Sequence, residues 1–94
     1  MQNKQSGAEM IASERQRHIS DEGWTSEHGD HHTADELIRA ALCYAAPWIG
    51  LEQYWPWEAE WYKPDAADRT RNLAKAGALI AAEIDRLKRA AGKS

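Results

Sequence analysis

The chain contains no phenylalanine, one cysteine, three prolines and no long uncharged apolar stretch. Each shortage excludes something. Cys43 alone cannot close an internal disulfide, so the fold must hold without one, as is usual in a reducing compartment. No run approaches the roughly 18 apolar residues that a membrane-spanning helix needs, and the polar start from Met1 to Gly7 has no signal-peptide character. A cytoplasmic protein with a flexible tail over residues 1–7 is expected. There is also no basic excess: 12 Lys and Arg stand against 15 Asp and Glu, a formal charge of −3. General binding of DNA or RNA is therefore not expected.

With 94 residues there is room for one core, so residues 8–92 are read as a single domain. No strand-like alternation and no internal repeat is present, and the fold is expected to be all-α with three main helices. The first runs from Ala8 to Glu22 and closes at Gly23; Arg15 lies between Ile11 and Ile19 on its inward side. That arginine either lays its stem along the core with its head on a carboxylate at the rim, or points into a pocket. The second helix opens at Thr33 with Glu36 in a capping box and presents Leu37, Ile38, Ala41, Leu42 and Ala45 on one face until Pro47. The third begins behind Asp65 and Asp68 and continues to Ala91, with Leu73, Gly77, Ile80, Ile84, Leu87 and Ala91 recurring at steps of three and four. Alanines on its other positions let neighbours approach closely. Because three such helices bury a thin core, self-association through the third is expected.

What the chain has in quantity is aromatic surface with polar edges. Seven of its eight aromatic residues, all Trp or Tyr, fall between Tyr44 and Tyr62 in the connection between helices two and three. Gly50, Pro56 and Pro64 disfavour a long regular element there. Lys63 follows Trp61 and Tyr62, and Arg69, Arg71 and Lys75 begin the third helix. Rings beside cations suit a nucleotide, whose base stacks while its phosphate meets Arg, Lys or a helix N-terminus. The same rings could instead form a hydrophobic lid over the core, Trp57 and Trp61 being one helical turn apart.

Two other constellations are weaker. The polar loop holding His28, Asp30, His31 and His32 could ligate a divalent metal, but its ligands crowd a Gly-containing loop without a rigid support, and the favoured reading is a solvated polar loop whose Asp30 and Thr33 cap the next helix. Acidic residues on helices one and three make no paired metal-binding face, and there is neither a serine nucleophile motif nor a phosphate-cradling glycine loop. An enzyme is not expected, nor a cofactor.

Beyond these patterns, the segment Glu14 to Asp30, with Trp55-Pro56-Trp57, Trp61-Tyr62-Lys63-Pro64 and Arg71 to Ile80, resembles a family of small bacteriophage and prophage proteins over about residues 11–90. The resemblance implies a phage accessory role in the host cytoplasm. A fainter similarity, carried by Arg15 or Arg17 with Glu22-Gly23-Trp24 and Asp30, is to the ryanodine receptor repeat domain, although Thr25-Ser26 stand where that repeat has Tyr-Gly. It implies binding of a nucleotide-derived ligand, such as the cyclic nucleotide signals of bacterial immunity that phage proteins sequester. On this reading Trp24, Trp57 and Trp61 would wall the base; Arg15, Lys63, Arg71 and Lys75 would meet phosphate; and His28 and Asp30 would read polar edges. The alternative is a Trp-rich interaction protein that docks on a host protein, with a metal-dependent nucleotide hydrolase third.

Overall fold

In a computed structural model, residues 4–20, 35–50 and 52–92 are described, without the side chains of Ile49 and Glu52. These residues form three α-helices, α1 (Gly7–Ser20), α2 (Glu36–Ala45) and α3 (Arg69–Gly92), and no strand occurs among them. Three single-turn 3-10 helices, Pro47–Ile49, Glu52–Tyr54 and Ala59–Trp61, break up the aromatic connection between α2 and α3. The all-α architecture is the one the sequence predicts. Trp24, His28, Asp30 and the closing Gly23 lie outside the described residues.

Helix α1 is started by Ser6, within the stretch read from sequence as a loose tail. The Ser6 hydroxyl accepts the Glu9 N–H at 3.1 Å while the Glu9 carboxylate accepts the Ser6 N–H at 2.9 Å. This reciprocal pair satisfies two of the donors that a helix start leaves open. The backbone bond from Ser6 holds the Glu9 carboxyl below its ordinary pKa.

Helix α2 begins later than a capping box at Thr33 would place it. Asp35 precedes its first turn with φ 63°, in the left-handed region, and makes no side-chain capping bond. Asp is among the few non-glycine residues that enter this region. At the other end Ala46 donates its N–H to the Leu42 carbonyl, and Pro47, with no N–H to offer, starts the first 3-10 turn.

Helix α3 is the central element, with α1 packed on one side of it and α2, more extensively, on another. The Asp68 carboxylate caps it by accepting the Arg71 N–H at 3.2 Å. One turn earlier, the buried Asn72 clamps Asp65 twice, accepting its N–H at 2.7 Å and donating to its carbonyl at 2.9 Å. The Lys75 ammonium reaches back to the Lys63 carbonyl at 2.7 Å. Through these bonds the first two turns of α3 fix the end of the aromatic connection.

The core joins Leu37, Ala40, Ala41 and Tyr44 of α2 to Ala76, Leu79 and Ala82 of α3, with Ala45, Trp55, Trp57 and Tyr62 packed against it. It is built largely of alanine, so the two helices approach closely and the rings supply the volume that small side chains leave unfilled. The packing register of α3 differs from the sequence expectation. Ala74, Ala76, Ala78, Leu79 and Ala82 are buried, whereas Leu73, Ile80, Ile84 and Leu87 are 42–53% exposed. Close approach of helices selects the alanine face and leaves the larger aliphatics outside. Leu42 is likewise 49% exposed on α2.

Candidate functional site

The seven clustered rings divide into two groups. Tyr44, Trp55, Trp57 and Tyr62 face inward and pack on one another. Trp55 sits at the centre, with ring centroids 5.7 Å from Tyr44, 5.2 Å from Trp57 and 4.8 Å from Tyr62. Its contacts with Tyr44 and Trp57 are edge-to-face, at 84° and 87°, the arrangement that sets a positive ring edge against a negative ring face.

The polar edges of these four rings are all used within the fold. Trp55 Nε1 donates to the Glu58 carbonyl and Trp57 Nε1 to the Glu36 carboxylate at 2.9 Å. The Tyr62 hydroxyl donates to the Cys43 carbonyl, and the Tyr44 hydroxyl accepts the Lys63 N–H. The edges of these rings are thus committed to the fold, while Trp55, Trp57 and Tyr62 remain partly exposed. Trp57, expected to wall a pocket, is a lid over the core.

Trp48, Tyr54 and Trp61 face outward, 65%, 48% and 55% exposed. Each tryptophan carries a cation: the Arg69 guanidinium lies 4.3 Å from the Trp48 ring centroid, and the Lys63 ammonium 5.7 Å from that of Trp61. Arg69 begins α3, and the Lys63 carbonyl is held by Lys75 of the same helix. Both exposed indoles therefore sit at the end of the molecule where α2 stops and α3 starts. Tyr54 is anchored apart from them, its carbonyl accepting a bond from Arg39 of α2.

The remaining cations proposed from sequence do not converge on those rings. Lys75 is buried, bonded to the Lys63 carbonyl, with its ammonium 5.6 Å from the centroid of the inward Tyr44. Burial, followed by the nearby Arg71 charge, pulls its pKa below the ordinary lysine value. Arg71 pairs with Glu14 at 3.3 Å, and Glu14 also holds Arg17 at 2.9 Å. Burial pushes the Glu14 carboxyl up, but the two arginines outweigh it and leave the pKa lowered. Arg15 meets Asp85 at 3.6 Å with its side chain 16% exposed, the rim arrangement rather than the pocket one.

A cleft of about 170 Å³ lies between the start of α1 and the start of α3, lined by residues including Met10, Ser13, Glu14, Asp68 and Arg71. It has no aromatic wall and is smaller than the several hundred Å³ usual for a small-molecule site. Among the described residues no group of three or more His, Cys, Asp or Glu is placed to hold a metal ion, and no helix is long and apolar enough to cross a membrane.

Trp48 and Arg69 are the pair that sequence reasoning passed over. Both were visible, one in the aromatic run and one among the cations opening α3. What was missing is the fold that brings positions 48 and 69 together. No protein-family model matches the chain, and no match was found among curated proteins or solved structures.

Proposed function

We propose that this chain is a non-enzymatic interaction protein that docks on a protein partner through Trp48 and Trp61, with Arg69 and Lys63 beside them. The observation that carries this reading is the division of the rings between Tyr44 and Tyr62: four pack on the core, while Trp48 and Trp61, the most exposed indoles among the described residues, lie at one end of the fold, each with a cation over it. Trp, Tyr and Arg dominate protein-binding hot spots, because a large flat side chain desolvates well and its polar edge finds a partner. Following the resemblance to phage and prophage proteins, the proposed partner is a host protein and the site of action the host cytoplasm.

A second reading is favoured by the two cation–ring pairs. A nucleotide-derived signal would stack on the open face of Trp48 or Trp61 and place its phosphate by Arg69 or Lys63. One experiment separates the two. Tagged wild-type protein is recovered from host lysate beside the Trp48→Ala/Trp61→Ala variant, and the bound fraction is analysed for proteins and, after heating, for released nucleotides. A stoichiometric protein captured by wild type alone supports docking. A nucleotide released from wild type alone transfers the site to the ligand reading, and identical recoveries from both exclude the indoles from either role.

A further inference from the structure

Four arginines find carboxylates within the fold: Arg17 and Arg71 share Glu14, Arg86 grips Glu83 through two contacts at 2.6 and 2.9 Å, and Arg15 meets Asp85. Arg69 differs. Among the described residues its guanidinium has no hydrogen bond and no ion pair, and it lies 4.3 Å from the Trp48 ring centroid. Carboxylates stand close to it in the chain, but they are turned to the backbone: Asp68 accepts the Arg71 N–H and Asp65 the Ala67 N–H, so both shape the entry to α3. Lys63 repeats the arrangement on the other exposed indole. Its backbone is held by Tyr44 and Lys75, and its ammonium has no acidic partner among the described residues and lies over Trp61.

The ring decides what the Arg69 guanidinium can do. Stacking spends the face of the group and leaves its N–H donors, which lie in its plane, at the rim of the indole, and that fork matches the two oxygens of a carboxylate. Trp48 is a firm support, because its 3-10 turn starts at Pro47 and closes at Gly50, whose φ of 78° suits glycine. A guanidinium held on such a support loses less freedom when it pairs, and the indole keeps water from one of its faces. Both effects strengthen the pair over one between two free surface side chains.

Two features of this end favour a carboxylate over a phosphate. Phosphate draws on the open amides of a helix N-terminus, and at α3 the Asp68 carboxylate already takes that place and adds a negative charge. Each indole also has one cation over it, which a single carboxylate matches in charge and a doubly charged group does not. We propose, resting on the docking reading above, that Arg69 on Trp48 receives an Asp or Glu side chain of the partner, so that the docked segment is an acidic stretch of protein with an apolar residue on the open part of the indole. Lys63 adds positive charge to the same end. The chain as a whole carries a formal charge of −3, which turns an acidic segment away from the remaining surface and directs it here.

Selection from a random dodecapeptide library on the immobilised full chain tests this. Wild type is expected to select sequences with an excess of Asp and Glu over the library, Arg69→Gln to lose that excess with unchanged circular dichroism, and Trp48→Ala to select nothing above background. For a selected peptide, Arg69→Gln is expected to weaken binding about fivefold, the upper end for an exposed ion pair. Replacing the acidic residue of the peptide by its amide costs the same, and the two changes together cost no more than either, as a direct pair requires. Additive losses, or Trp48-dependent peptides without an acidic excess, overturn the acidic partner and leave the docking end standing. Absence of any Trp48-dependent peptide overturns both. An Arg69-dependent titration with ATP, in a protein that selects no acidic peptide, overturns the inference and assigns the fork to phosphate.

Discussion

The indole N–H of Trp57 donates to the Glu36 carboxylate at 2.9 Å, tying the aromatic connection to the first turn of α2 across 21 residues of chain. The contact closes the lid that Trp55, Trp57 and Tyr62 make over the alanine-rich core. Trp57→Phe keeps most of the ring and removes the donor. It is expected to lower stability by about 1–2 kcal/mol, the sum of a lost hydrogen bond to a charged group and a slightly smaller ring, measured as a shift in urea midpoint at constant slope.

For the outward rings the cost falls on binding. Trp48→Ala is expected to weaken capture of the partner at least about tenfold, as truncating a hot-spot tryptophan does. Arg69→Ala, which removes the cation stacked on that ring, is expected to act in the same direction with smaller effect. Titration of the isolated partner against each variant checks both, with unchanged affinity in Trp48→Ala counting against the docking end.

Where α1 crosses α3, Gly77 accommodates Ile11. A Cβ at Gly77 would stand 2.5 Å from Ile11 Cδ1 and 2.7 Å from its Cγ1. Alanine favours the helix by about 1 kcal/mol over glycine, so the substitution has a gain to set against the clash. Two contacts this short outweigh it, and Gly77→Ala is expected to be destabilising by about 1–2 kcal/mol. In an Ile11→Ala background the same change is expected to become stabilising. Such a reversal in the double-mutant cycle is the signature of direct contact.

Glu14 governs the acid limb of stability. Its folded carboxyl titrates lower than in the unfolded chain because Arg17 and Arg71 favour its charge. The contribution is complete above the unfolded value and is lost as pH falls through the folded one. Lys75 acts in the alkaline range: burial depresses its folded pKa, so the unfolded chain holds the proton longer and stability rises with pH between the two values. Glu14→Gln is expected to cost about 1–2 kcal/mol at neutral pH and to flatten the acid limb of a stability–pH profile; an unchanged limb would remove Glu14 from this role.

Much of the architecture was legible because helix periodicity, Pro47 and the acidic residues before α3 are local signals. Leu37 and Ala41 are buried as their spacing predicts, and Asp68 caps α3. Periodicity failed where both faces of a helix are apolar. Leu73, Ile80, Ile84 and Leu87 form the more hydrophobic stripe of α3, yet the alanine face is inside, since helix–helix distance rather than side-chain hydrophobicity decides which face fits. Ser6 escaped notice as a cap because Gly7 follows it. Lys75 could not be recognised as buried, because its carbonyl partner belongs to Lys63 and lies near it only through the turn at Asp65. The same holds for Arg69 over Trp48, a contact across 21 residues that no local pattern encodes.

The rings divide into an inward group that packs on the core and an outward group that stays exposed. Thermal unfolding of Trp57→Ala beside Trp48→Ala/Trp61→Ala measures that division directly. Loss of the Trp57 ring is expected to cost about 3 kcal/mol, lowering the midpoint by more than about 10 °C, while the outward double variant stays within about 3 °C of wild type. Equal losses, or a stable Trp57→Ala beside an unstable outward variant, would contradict it.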